Sequence, residues 1–480
     1  MDREIVIVGA GAAGIAMGMQ LKRAGYTRFT IVERSRGVAG TWHDNRYPGA
    51  GCDVPSHLYC FSFAPNPGWD RKFALQPEIE RYFQRCVDEA GLGPHLRLGR
   101  EVRAATWDGD AWRIELDDGT QLVANVLISG TGQLNRPYVP ALPGADTFAG
   151  RAMHSARWDA SLDLAGKRVV VIGNGASAVQ IIPQIAQVAG HVTVMQRSPS
   201  YVIRRNDRRY REWEKWLFRT VPGARRLYRD YIYWSLEARF SALRPGSLMS
   251  KLIRRMALGY LHDVVADPVL RAKLTPDYPL GCKRILISDD WYEALVRPNV
   301  EVVTSAIDRF VPEGLVTVDG VTHRADVAVY ATGFEATSFL VPMQITGRDG
   351  IALHDAWRAG AEAHRGITIS GFPNLFLLYG PNTNLGHNSI LFMIECQVSY
   401  VIRCLEELER RGARSLDVRA EAMARSNAEV QRALADTAWA ADCHSWYKTA
   451  DGKITNNWSS RVTRYWWQTR RPDFDEYEIR

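Results

Sequence analysis

One pattern occurs twice in this chain and narrows its possible folds more than any other feature. It is a short apolar run, a glycine loop, and then an apolar stretch with helical spacing. At residues 4–8 the run EIVIV leads into Gly9-Ala10-Gly11-Ala12-Ala13-Gly14, and a helical pattern follows to residue 24. At residues 168–172 the run RVVVI leads into Gly173-Asn174-Gly175-Ala176-Ser177-Ala178. A G-x-G-x-x-G or G-x-G-x-x-A turn between strand and helix is the dinucleotide fingerprint. Its first glycine makes the tight turn, its second lets the backbone approach a pyrophosphate, and its third small residue lets helix and strand pack closely. The helix N-terminus then offers N–H donors and a positive dipole end to phosphate. A lone fingerprint is weak, but here each has its strand and its helix. The expected fold class is α/β, with two Rossmann-type dinucleotide-binding domains and a helical insert in the second.

The next strands end differently. Residues 29–32 run into Glu33, 24 residues after Gly9, whereas residues 191–196 run into Arg197-Ser198, with Arg197 24 residues after Gly173. A carboxylate accepts from ribose hydroxyls and repels a 2′-phosphate, while a guanidinium binds one. The first site is therefore expected to take a nucleotide with a free 2′-hydroxyl, and the second to take NADPH. A solvated surface charge is the plain alternative for Arg197.

Between the fingerprints, residues 148–159 read FAGRAMHSARWD, with Phe148, Gly150, His154, Trp158 and Asp159 in a run too irregular for a strand. A turning linker fits, as does a surface connection with a capping Asp. The loop at 40–63 is rich in turns and aromatic groups and carries Asp53 in a stretch that looks buried, where a carboxylate needs a cation or several donors unless it caps its own turn. Residues 78–90 read as an amphipathic helix, and 102–116 and 121–129 as strands of a small antiparallel layer. Residues 205–275 read as helical, basic and aromatic, most simply packed on the body, with substrate access or an anionic membrane surface as other uses. Lys283-Arg284 precedes an apolar run, and two adjacent cations there are costly unless they face an anion. Residues 327–330 read as a strand returning to the first module and 375–379 as another strand. A helix is expected from about 388 to 411, and the tail from 471 is expected to fray.

Length and charge bound the rest. The 480 residues allow two or three domains at roughly 100–200 residues each. Seven scattered cysteines form no CxxC pair, which leaves zinc knuckles and redox-active CxxC motifs unsupported. Free thiols and a cytoplasmic location are the expectation. The net charge of +7 is local: 201–275 holds 17 Lys and Arg against 7 Asp and Glu, leaving the remainder near −3. No nucleic-acid motif accompanies that patch, so nucleic acid is not an expected partner. No apolar run reaches 18 residues, so no integral membrane segment is expected.

With these residues in hand, the chain resembles the class B flavoprotein monooxygenases and, within them, the Baeyer–Villiger monooxygenases. The 148–159 stretch matches the FxGxxxHxxxW(P/D) signature at Phe148, Gly150, His154, Trp158 and Asp159. The likeness also covers both fingerprints, Gly40-Thr41-Trp42, YPGAGCD, Lys283-Arg284, ATGF and GPNTNLGHNS. The last of these, with Ser445-Trp446-Tyr447, is most similar to the branch of 4-hydroxyacetophenone monooxygenase. The resemblance implies FAD at Gly9, Gly11, Ala13, Gly14, Glu33, Gly40, Thr41, Trp42, Asp53, Tyr59 and Val102. It implies NADPH at Gly173, Asn174, Gly175, Ala176, Ser177, Ala178, Arg197, Ser198 and Lys283, with Trp446 on a mobile loop over the nicotinamide. It implies Arg284 as the active-site arginine with Asp53 as its carboxylate partner, His154 as a coupler of domain motion, and no metal. Ala39 stands where the family usually has glycine, and Trp458-Ser459-Ser460 where it usually has WPG.

The implied reaction is insertion of one oxygen atom beside a ketone carbonyl through an oxygen adduct at flavin C4a, giving an ester or lactone, with sulfoxidation as a side activity. The implied substrates are O2 and a small ketone, aryl or cyclic. A homodimer is an open option. The rival readings are an N- or S-oxygenating enzyme of the same fold, an NADPH oxidase or disulfide reductase, and a flavin-binding scaffold. The expected domains are 1–147 (FAD, first part), 148–165 (linker), 166–325 (NADPH, with the insert) and 326–480 (FAD, second part, and tail).

Overall fold

The structure is a computed structural model describing residues 3–443 and 445–480. Two five-stranded parallel sheets organise it. In the first, the order is Leu375–Leu377, Val126–Ser129, Ile5–Val8, Phe29–Glu33, Leu96–Leu98. In the second, it is Val300–Val303, His191–Met195, Arg168–Ile172, Val327–Tyr330, Arg151–His154. The central strands are unbroken Val and Ile runs because parallel strands are covered on both faces. Each fingerprint strand feeds its helix, Ala12–Arg23 or Ala176–Ile185. Each sheet buries its own apolar cluster, so the two nucleotide-binding units have separate cores.

Three strand expectations are corrected. Val126–Ser129 lies in the first parallel sheet and not in the antiparallel layer, which consists of Val102–Trp107, Trp112–Leu116 and Gln121–Ala124 with Gln344–Thr346 on its edge. Arg151–His154, expected to be irregular, is the edge strand of the second sheet. Val327–Tyr330 joins that second sheet, between Arg168–Ile172 and Arg151–His154, and does not return to the first. An apolar run reports burial but not which sheet buries it. An edge strand needs no long apolar run at all, so RAMH carries little signal.

The insert folds as helices Glu212–Thr220, Ala224–Ala238, Leu248–Val264 and Pro268–Leu274. Val202–Ile203 pairs in parallel with Leu286–Ile287 and closes the excursion. Ile232, Tyr233, Leu236 and Phe240 pack with Met393, Val462 and Tyr465 of the body. The expectation of a packed aromatic stripe is thus only half met, because Trp213, Trp216, Tyr231 and Trp234 are exposed.

Two further expectations are overturned. The C-terminal tail is not frayed: Tyr477–Ile479 pairs antiparallel with Leu416–Val418, and the buried Tyr477 hydroxyl lies 2.6 Å from that of Tyr400. One buried ring in a charged segment is too short a pattern to read. The cysteines are not all free: Cys282 and Cys443, 161 residues apart, form a disulfide with Cα atoms 6.4 Å apart. Spacing cannot reveal a pair that only tertiary folding brings together. Cys52, Cys60, Cys86, Cys396 and Cys404 are buried free thiols. Among the described residues no helix is long and apolar enough to cross a membrane, and no cluster of His, Cys, Asp and Glu could hold a metal.

Candidate active site between the two nucleotide-binding units

The first fingerprint is a turn that excludes side chains for steric reasons. Gly9 has φ +102°, and a Cβ there would lie 2.8 Å from the Gly130 carbonyl oxygen; one on Gly14 would overlap the Gly9 carbonyl. Helix Ala12–Arg23 has no side-chain cap, so its first-turn N–H groups are free for an anion. Glu33 is buried and accepts from the Ala10 N–H at 2.8 Å and the Ser35 N–H at 2.8 Å, which pins the loop while further acceptor capacity remains. Gly40 approaches this loop, a Cβ on it meeting Gly11 Cα at 3.0 Å. Thr41 and Trp42 start a short helix, and Trp42 Nε1 donates to the Tyr59 hydroxyl at 3.0 Å. Val102 is buried with Val6, Val8 and Val32. Ala39 has φ +82°, in the left-handed region that favours glycine, and is buried. An uncapped helix, a glycine cradle and a terminal carboxylate fit FAD.

The second fingerprint is open where the first is closed. A Cβ on Gly173 would lie 2.6 Å from the Ala331 carbonyl oxygen, but one on Gly175 meets nothing within 4 Å. Ala176, Ser177 and Ala178 begin the helix, which also lacks a side-chain cap. Asn174 Nδ2 donates to Gln196 Oε1 at 3.1 Å and to the Ser198 carbonyl at 2.8 Å, fixing the strand end beside the loop. There Arg197 is exposed, and Lys283 donates to Ser198 Oγ and sits 4.7 Å over the Tyr278 ring. Burial and the neighbouring Arg197 hold the Lys283 pKa below its usual range. Two converging cations suit a doubly charged 2′-phosphate. These residues fit NADPH.

The two units meet at a charged contact. Arg284 Nη2 lies 2.9 Å from Asp53 Oδ2, joining the segment after the insert to the loop after the first fingerprint. Burial lowers the Arg284 pKa, but Asp53, Tyr447, Cys52 and Tyr379 together reverse this and leave it raised. Its side chain nonetheless keeps 42% of its surface open, so the guanidinium is not sealed off by its carboxylate partner. Tyr47, Tyr59, Tyr379 and Tyr447 have pKa values raised by burial, so they stay neutral beside the guanidinium.

A residue absent from the sequence-based set completes the contact. Gln180, one turn into the second fingerprint helix, donates to Asp53 Oδ1 at 3.4 Å and to the Gly51 carbonyl at 3.0 Å. It accepts from the Tyr47 hydroxyl at 3.0 Å. A carboxamide on a turn otherwise made of Ala178, Val179, Ile181 and Ile182 was the available signal. Arg205 also reaches this loop, donating to the Cys52 carbonyl and lying 4.9 Å over Phe73. On the far side, the Cys282–Cys443 disulfide holds the stretch before Lys283 against the segment that leads to Trp446. The Trp446 ring lies 4.3 Å from that of the buried Tyr447.

The 148–159 signature lies apart from this contact and does packing work. The Phe148 ring packs against that of Phe310 at 5.4 Å, tilted by 51°, and a Cβ on Gly150 would strike Phe148 and the Asp326 carbonyl. Trp158 packs on the core of the second unit, and Asp159 caps Ser161 at 3.0 Å. His154 Nδ1 accepts from the Ala156 N–H at 3.1 Å, so Nε2 carries the proton and donates to the Gly333 carbonyl at 3.0 Å. Burial lowers its pKa, which keeps it neutral and suits a structural tie across to the ATGF turn.

Comparison with known proteins follows this geometry. A family model described as pyridine nucleotide-disulphide oxidoreductase matches residues 6–214. A Baeyer-Villiger monooxygenase of Streptomyces coelicolor is 42% identical over 99% of this chain and 92% of its own length. A Baeyer-Villiger monooxygenase of Pseudomonas aeruginosa is 39% identical over 99% of this chain and 91% of its own. The solved complex of OTEMO with FAD and NADP superposes with a TM-score of 0.91 at 28% identity, covering 100% of this chain and 99% of that one.

Proposed function

The chain belongs to the Baeyer–Villiger monooxygenases, and on that premise we propose which of its residues perform the oxygenation and on what. It is an FAD-containing enzyme that uses NADPH and O2 to insert one oxygen atom beside a ketone carbonyl, with water and NADP+ as the other products. The bound FAD, reduced by NADPH, supplies the oxygen-activating chemistry. The protein's own task is to hold both dinucleotides, exclude water and place a permanent positive charge where negative charge develops.

Arg284 meets that last requirement. A guanidinium remains charged at any working pH, and here its neighbours strengthen that charge. It stabilises anionic oxygen in the cleft and on the attacked carbonyl. Asp53 orients it, and Gln180 in turn holds Asp53 from the NADPH side, so the two units are in register when the cation is in place. Lys283 and Arg197 bind the 2′-phosphate. Trp446 and Tyr447 cover the site, and with Tyr379 they favour an aryl or cyclic ketone through their aromatic faces.

The 2.9 Å Arg284–Asp53 pair across the two units carries this reading. It is tested with Arg284→Ala. The variant is expected to purify yellow and to be bleached by NADPH, yet to release hydrogen peroxide in place of ester. Ester formation at the wild-type rate would remove Arg284 from the mechanism.

A further inference from the structure

Helix Leu248–Val264 of the insert sends apolar side chains in two directions. Ile253, Ala257, Tyr260 and Leu261 pack inward. Leu248, Leu252 and Met256, spaced by four residues, form a second stripe that points outward with 85%, 51% and 51% of their surface open. A surface helix ordinarily has one apolar stripe, and it faces the core. Beside the outer stripe stand Lys251, Arg254 and Arg255, all exposed, none with a side-chain hydrogen bond or ion pair among the described residues. No Asp or Glu occurs from 248 to 262. Elsewhere on the insert, Leu227, Tyr231 and Trp234 are exposed along one face of helix Ala224–Ala238, and Trp213 and Trp216 on the helix before it. Residues 201–275 carry a net charge of +10, while the rest of the chain is near −3.

We propose that this face of the insert seats on an anionic phospholipid surface, with helix Leu248–Val264 lying in the headgroup plane. Leu248, Leu252 and Met256 would enter the acyl boundary. Lys251, Arg254 and Arg255 would bury their stems and reach outward to the phosphates. Trp and Tyr side chains suit the headgroup level, where one end of the ring is apolar and the other wet. Anionic lipid supplies the complementary charge to the unpaired cations. The other occupants fit less well. A second copy of the chain would bring the same unpaired cations face to face. A nucleic acid would satisfy the cations but leave three large aliphatic side chains in water.

The test uses the full-length flavoprotein without NADPH, sedimented with vesicles of phosphatidylcholine alone or of phosphatidylcholine mixed with phosphatidylglycerol. Binding is expected to the mixed vesicles only and to weaken in high salt. Leu248→Ser with Leu252→Ser and Met256→Ser is expected to weaken it by about a hundredfold. Lys251→Gln with Arg254→Gln and Arg255→Gln is expected to do so by a similar factor. Both variants should keep the wild-type flavin spectrum and melting temperature, since the changed side chains contact solvent. The proposal is overturned if the wild-type chain ignores the mixed vesicles. It is equally overturned if the serine variant binds them as well as wild type, which would mark a site for any polyanion. A dimer that the serine variant dissociates, with no vesicle binding, would assign the face to self-association instead.

Discussion

Gly14 and Gly175 show that two glycines of one motif can be required for different reasons. At Gly14 a methyl group would overlap the Gly9 carbonyl, so the residue is demanded by the fold itself. At Gly175 the backbone is extended, at φ −76°, and a methyl group would enter open space. Only a ligand could object to it. Gly175→Ala is therefore expected to leave stability within about 0.5 kcal/mol of wild type while raising the KM for NADPH by roughly tenfold or more. Gly14→Ala is expected to cost more than about 3 kcal/mol and to yield little yellow protein. Melting curves and flavin bleaching rates separate the two. An NADPH response unchanged in Gly175→Ala would remove the pyrophosphate from that loop. Both glycines are legible in sequence because steric demands follow from the motif alone. Gln180 is not, because its partners Asp53, Gly51 and Tyr47 lie more than a hundred residues away.

At the scale of the elements, a buried charged contact ties the insert to the body. Glu237, near the end of helix Ala224–Ala238, lies 3.4 Å from His387 Nε2, with both side chains at most 3% exposed. It also accepts from the Thr463 N–H at 3.0 Å and from Asn388 Nδ2 at 3.1 Å. Burial alone would raise its pKa, but His387 and Thr463 outweigh burial and bring it down to about 2. A depressed carboxylate pKa contributes stability that is present above its ordinary value of 4.5 and is lost as pH falls through the folded value. Glu237→Gln is thus expected to cost about 3 kcal/mol at pH 7, and the gap to wild type should close as the pH falls from 4.5 toward 2. Urea midpoints across that range measure it; a gap independent of pH would mean the contact works without its charge. The helices of the insert are readable from their spacing. The anchor that docks them is not, since Glu237 and His387 are 150 residues apart.

For the molecule as a whole, the Cys282–Cys443 disulfide ties the stretch leading to Arg284 to the segment leading to Trp446. Closing a loop of that length restricts the unfolded chain strongly, by up to about 5 kcal/mol in the chain-entropy account. Without reductant, the unfolded protein should show five reactive thiols, and seven after reduction, with a lower melting temperature in the reduced form. Seven thiols before reduction would rule out the pair. The contrast with the fingerprints is physical. Strand, glycine turn and helix are local patterns, each confined to about thirty residues and enforced by backbone sterics, so the amino-acid sequence by itself determined that there are two dinucleotide-binding units. The parallel sheet that receives Val327–Tyr330, the ordering of the last strand, the Gln180 latch and the disulfide all join residues far apart in the chain. They were decided only by the tertiary structure, because no single segment holds both halves of any of these contacts.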